Sequence, residues 1–169
     1  MKSRQRGLVL LLSLTLMLLL ALLGLSAMGS AIQQARMSRN LLSTLQVFEQ
    51  SHQVLQSGET RLHTQAWPLC AFCLPPPEAG NVTSSGVYAG QGESSGLSWQ
   101  AATGGFYLIQ SLGRSTKVRQ MPQGLEANLY RVTAVSRLGT VRGVMESVIA
   151  QPVGPAPQPG RRIFWRQVY

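Results

Sequence analysis

Aspartate is absent from this chain of 169 residues, and glutamate supplies all six of its carboxylates. Two histidines and two cysteines complete a short stock of groups able to hold a metal or move a proton. A Ser/His/Asp arrangement is therefore excluded, no two glutamates stand at helical spacing, and no Gly-rich phosphate loop follows a strand pattern. The expectation is a protein that is not an enzyme, with no metal and no cofactor. Charge is missing locally as well, since none occurs between Arg6 and Arg36. Proline and glycine are both missing from Ala31 to Leu55, which leaves nothing there to interrupt a helix.

What fills the first gap is an apolar run, Gly7 to Met28, dominated by leucine and placed directly behind the basic leader Met-Lys-Ser-Arg-Gln-Arg. About 20 apolar residues at about 1.5 Å each span the hydrocarbon of a bilayer. Lys2, Arg4 and Arg6 precede the run, so the positive-inside bias keeps the leader cytoplasmic and exports the remainder. Three processing routes fit such a segment: a cleaved secretory signal, a retained signal anchor, or removal of a short basic peptide ending at Gly7 with the apolar helix kept. The apolar core exceeds the length of about 7 to 15 residues usual for a cleaved signal. Within it, Ser13, Thr15, Gly24, Ser26 and Gly29 are small enough to let neighbouring membrane helices approach, the alternative being that they face lipid.

The helical pattern continues beyond the span. Leu41, Leu45, Phe48, His52 and Leu55 recur at steps of four and three, which places them on one face, and Gly58 supplies a stop signal. The pattern predicts one helix of about 50 residues, roughly 75 Å long. Two helices hinged near Gly24 or Gly29 are the alternative, because each internal glycine costs about 1 kcal/mol relative to alanine.

After the helix, Trp67-Pro68-Leu69-Cys70-Ala71-Phe72-Cys73 holds both cysteines. In an oxidising compartment a structural disulfide between Cys70 and Cys73 ranks first, ahead of reduced buried thiols and of metal or redox chemistry. A zinc site would have to recruit His52 and His63, whose separation matches no common ligand spacing. Leu74 to Pro77 reads as a stiff extended stretch, and 78–96, rich in glycine and serine, as a surface loop with a short strand at 87–89. Asn81-Val82-Thr83 has the form of a glycosylation acceptor and is read as a loop tripeptide.

Strand signals follow at 97–102, 106–112, 129–137 and 142–151, with Leu138-Gly139-Thr140 as a hairpin turn. Tyr130, Val132 and Ala134 share one face of the third strand, and Met145, Ser147 and Ile149 one face of the fourth. The amphipathic half of the helix is expected to cover that sheet. Residues 152–160 form a Pro-rich spacer that delivers 161–169 as a candidate last strand, pairing in this chain or with a neighbour.

The formal charge of +9 falls to +6 once Lys2, Arg4 and Arg6 are removed with the leader. Such a balance raises nucleic-acid binding. The cations are scattered except for Arg114, Lys117 and Arg119 and the pair Arg161-Arg162, and no binding motif accompanies them. Solvated charge is the preferred reading, ahead of nucleic acid as a partner.

In several places the chain resembles the PilX-type minor pilins of type IV pili. Gln5-Arg6-Gly7 opens the apolar run, Leu22-Leu23-Gly24-Leu25-Ser26-Ala27-Met28 closes it, and Ala35-Arg36-Met37-Ser38-Arg39-Asn40 lies just beyond. Phe48 to Glu59, Tyr130-Arg131-Val132-Thr133-Ala134 and Trp165-Arg166 are similar to later blocks of that family. The similarity spans 5–59 well, 129–169 more thinly, and nothing between. It implies an α+β fold, a long N-terminal hydrophobic and amphipathic helix packed on a small antiparallel β-sheet head. The implied plan is a leader 1–7, a helix 8–57 with 8–28 in the membrane, a loop region 58–96 with the Cys pair, a sheet 97–151, the spacer and the last strand.

Function and surroundings follow from the same resemblance. It implies cleavage between Gly7 and Leu8 by a prepilin peptidase, residence in the inner membrane of a Gram-negative bacterium with the head periplasmic, and later residence at the pilus tip. The implied partners are other minor pilins, the major pilin, a PilY-type adhesin and the inner-membrane assembly platform. Two positions depart from the family: Leu12 stands where pilins generally carry a glutamate, and Leu8 where they commonly carry a phenylalanine. A subunit with nothing above it in a filament needs no such glutamate, which suits a tip or initiating position. The runner-up readings are a minor pseudopilin of a type II secretion system, for which a large helical insert is expected, and a single-pass membrane-anchored periplasmic binding domain.

Overall fold

In the computed structural model, which describes residues 3–154 and 158–168, strong helix formers and an unbroken apolar run give one α-helix, α1 (Ser3–Arg61), of 59 residues. Residues 1–2 of the expected leader, 155–157 of the spacer and Tyr169 lie outside the described residues. The chain divides into two units, Met1–Leu42 and Ser43–Tyr169.

In the first unit α1 runs through Gly24 and Gly29 without a break. Its large apolar side chains are exposed, from Leu8 at 71% to Met28 at 69%. By length and composition this helix can cross a membrane.

The second unit, the head, starts from the last part of α1 and adds six strands. These are β1 (Gly86–Val87), β2 (Ser98–Ala102), β3 (Gly105–Ser115), β4 (Ala127–Leu138), β5 (Val141–Pro152) and β6 (Arg161–Gln167). They form one antiparallel sheet in simple sequence order, so every connection joins neighbours. The expected last strand pairs within this chain, Ser147 opposite Trp165 and Val148 opposite Phe164.

Most strand boundaries shift by one to three residues from the sequence reading, and three differences bear on the packing. β3 continues past Leu112 because Leu112 is left unpaired in a bulge that Gly113, with φ of 93°, accommodates, and pairing resumes at Gly113 opposite Leu129. The short strand near 87 is Gly86–Val87, paired with Ser98 and Trp99. α1 does not stop at Gly58 but runs on to Arg61, where Leu62 and Thr64 close the last turn on the carbonyls of Glu59 and Arg61.

Gly58 is instead a packing position. A Cβ there would lie 2.6 Å from Val132 Cγ1 and 3.0 Å from Tyr107 Cδ2. The same logic recurs on β5, where a Cβ on Gly143 would meet Val47 Cγ1 at 2.8 Å and Ser51 Oγ at 3.1 Å. The buried stripe of α1 is accordingly Val47, Ser51, Val54, Leu55 and Gly58, continued by Leu62 just past its end. This corrects the expected face. Leu55 is buried, Phe48 and His52 are half-buried, and Leu41 and Leu45 are 60% and 54% exposed.

The sheet is covered on both faces. Against α1 lie Tyr107, Ile109, Tyr130, Val132, Ala134, Met145 and Ile149, packed with Val54, Leu55 and Leu62. Burial of each large aliphatic side chain there contributes roughly 1.5–3 kcal/mol. On the other face Leu108, Val135 and Val144 meet Ala79, Val82 and Trp99. The stretch expected to be a surface loop therefore supplies the second layer of core, built around a 3₁₀ turn at Pro77–Asn81.

Candidate functional site

The expected packing residues of the span are all exposed in this chain. Nothing lies within 4 Å of a Cβ placed on Gly7, Gly24 or Gly29. The hydroxyls of Ser13 and Thr15 donate to the carbonyls of Leu10 and Leu12, each at 2.9 Å. Both polar groups are thus satisfied inside the helix, the condition for a hydroxyl in an apolar medium. Leu8, beside the expected cleavage position, is as exposed as its neighbours. Ser26 is exposed too.

Cys70 and Cys73 are joined by a disulfide, their Cα atoms 5.3 Å apart. The resulting loop is fastened to the sheet by main-chain and side-chain bonds. Cys70 N–H donates to the Ser111 carbonyl at 2.9 Å, next to a parallel bridge between Leu69 and Ser111. From β3, Gln110 Nε2 donates to the carbonyls of Phe72 at 2.6 Å and Leu74 at 3.0 Å. From β4, Arg131 Nη1 donates to the Cys73 carbonyl at 2.6 Å. A loop without regular structure owns many main-chain carbonyls, and here the buried Gln110 and the half-buried Arg131 satisfy three of them.

Beneath that loop lies an ion network that the sequence reading missed. Glu146, 3% exposed, accepts from Arg131 Nε at 3.0 Å and from Arg166 Nη2 at 3.1 Å, which ties β4, β5 and β6 together. The available signal was a cross-strand diagonal, since Thr133 faces Glu146 and Arg131 lies two positions along. Glu78 was missed as well. Its carboxylate accepts from Ser95 N–H at 3.0 Å, from the Ser95 hydroxyl, and from Trp99 Nε1 at 3.2 Å, holding the second layer closed.

The two histidines stand apart. His52 is half-buried on α1, and His63 lies exposed with Nδ1 3.4 Å from Gln151 Nε2. Among the described residues no group of three or more His, Cys, Asp or Glu lies together. A groove of about 650 Å³ between the β2–β3 and β4–β5 turns is lined by Gln50, Phe106, Ser136 and Arg137 with much glycine backbone. It brings no nucleophile and base together. Two buried carboxylates, Glu78 and Glu146, fix the irregular layer of the head. Compared with known proteins, the chain matches no family model, no curated protein and no solved structure.

Proposed function

We propose that this chain is a minor pilin, a non-enzymatic structural subunit that primes assembly of a type IV pilus and sits at or near its tip. One observation carries the reading: an apolar span long enough for a membrane runs without interruption into a helix whose end covers one face of an antiparallel sheet. A continuous helix of that kind lets one apolar surface serve first in lipid and then against the helices of sister subunits. The exposed span, with its hydroxyls already bonded to its own carbonyls, suits both settings. In this reading the head is periplasmic, a prepilin peptidase cuts between Gly7 and Leu8, and the partners are other minor pilins, the major pilin, a PilY-type adhesin and the assembly platform. Leu12 in place of a glutamate favours a position with no subunit above it. Among the described residues after Arg61 the only helical element is the 3₁₀ turn, which favours the pilus over a secretion pseudopilin with a large helical insert.

The amino terminus of the mature protein tests this. Sequencing by mass spectrometry is expected to find a methylated Leu8 as the first residue. An intact Met1 overturns the proposal in favour of a simple anchor, and a start near Ser30 overturns it in favour of secretion. Fibre formation unchanged by deletion of the chain overturns the priming role.

A further inference from the structure

The head holds ten Lys and Arg against six Glu, and this surplus is concentrated at one end. Where α1 terminates, β3 ends and β6 begins, Arg61, Arg114, Lys117, Arg119, Arg161 and Arg162 come together with only Glu59 and Glu126. The remaining four cations of the head are matched by Glu49, Glu78, Glu93 and Glu146. The whole net charge of the head therefore belongs to this pole.

Part of that charge is committed and part is not. Arg162 Nε donates to Glu59 at 2.9 Å, and Arg114 lies 3.7 Å from Glu126 with both side chains largely exposed. Lys117 and Arg119 are exposed and make no ion pair among the described residues. They line a basin of about 600 Å³ together with Val118, Met121 and Gln123. The basin is shaped by a loop fixed at its tip. Gln120 takes φ of 66°, and its carbonyl accepts from Arg161 Nη1 at 3.1 Å, which latches the loop to the start of β6.

We propose that this pole is a docking surface for a carboxylate-rich segment of a partner protein. Arginine dominates it, and the planar guanidinium matches a carboxylate in a bidentate fork. The basin mixes two cations with Val118 and Met121, so it suits alternating acidic and apolar side chains. No aromatic ring lines it, which removes the stacking platform that single-stranded nucleic acid uses. Glu59 and Glu126 within the same pole repel a uniform phosphate backbone, whereas a protein segment can place neutral or basic residues opposite them. Attraction of this kind acts on the encounter with the partner and does not depend on assembly into a fibre.

The test uses the full chain in detergent micelles, with fluorescent polyglutamate as the probe and a labelled DNA duplex in parallel. Polyglutamate is expected to bind, to weaken with rising salt, and to lose on the order of tenfold in affinity in the triple variant Lys117→Glu, Arg119→Glu, Arg161→Glu. Arg137→Glu, at the opposite end of the sheet, is the control and is expected to change affinity by less than about twofold. The milder pair Lys117→Gln and Arg119→Gln, both exposed, is expected to show a partial loss and serves if the triple variant does not fold. Equal losses in the pole and control variants, or unchanged binding in the pole variants, overturn the proposal. So does a duplex that binds more tightly than polyglutamate at the same salt.

Discussion

Gly58 shows how one missing side chain decides a local structure. In an exposed helix interior, glycine to alanine stabilises by about 1 kcal/mol. At this position the added methyl would meet Val132 Cγ1 at 2.6 Å, and Val132 is a stiff β-branched side chain with no exposure. Overpacking of that kind costs about 1–3 kcal/mol, so the sign reverses. Gly58→Ala is expected to lower the urea midpoint of the head, whereas a stabilised variant would show that the glycine merely interrupts the helix. Ser51 belongs to the same logic, a small buried residue whose hydroxyl donates to the Phe48 carbonyl at 2.9 Å and so asks nothing of the sheet. Large residues thus mislead when a helix face is sought by counting leucines. Leu41 and Leu45 are exposed, and the true seam is built on Val47, Ser51 and Gly58.

Among the elements, the second layer of the head is the least regular and the most dependent on polar bonds. The Cys70–Cys73 loop closes a short ring, and a ring of this size contributes about 2 kcal/mol in the chain-entropy picture. Its placement owes more to Gln110 and Arg131, which reach it from β3 and β4. Arg131 is in turn held by Glu146, so the carboxylate orders the loop without touching it. Removing Glu146 leaves Arg131, 15% exposed, without its partner while Arg166, 46% exposed, can be solvated, at a cost of about 1–3 kcal/mol. Glu146→Ala is expected to destabilise the head by about that amount and to raise hydrogen exchange of the Cys70 amide, which is bonded to Ser111. A loss below about 1 kcal/mol, the worth of a surface pair, would show that the network is solvated. The alternation of apolar residues along β4 and β5 made their α1-facing sides legible, since Tyr130, Val132, Ala134, Met145 and Ile149 all lie in that cluster. It did not reveal the opposite face, because Arg131 and Glu146 look like solvent-facing residues until a loop is laid over them.

At the scale of the whole molecule, one helix carries two environments along its length, a run exposed on all sides and a stripe packed on a sheet. A cation at the centre of a membrane helix costs about 2.5–3.5 kcal/mol on insertion scales. Leu18→Arg is therefore expected to reduce the carbonate-resistant membrane fraction of the chain while leaving the fluorescence of its tryptophans, all of which lie in the head, unchanged. Retention of the variant in membranes at the level of the original chain would argue that the run does not need the bilayer core. The apolar span, the helix that follows it, the places of the main strands along the chain and the short reach between the cysteines were all written in the sequence, because each depends on composition, periodicity or chain spacing. Only the tertiary structure decided which stripe of α1 is buried, that Gly58 and Gly143 are contact points, that 70–82 lies over the far face of the sheet, and that scattered cations gather at one pole. Those outcomes depend on which surfaces meet, and a contact between residues 88 positions apart, such as Ser147 with Glu59, leaves no mark on either local pattern.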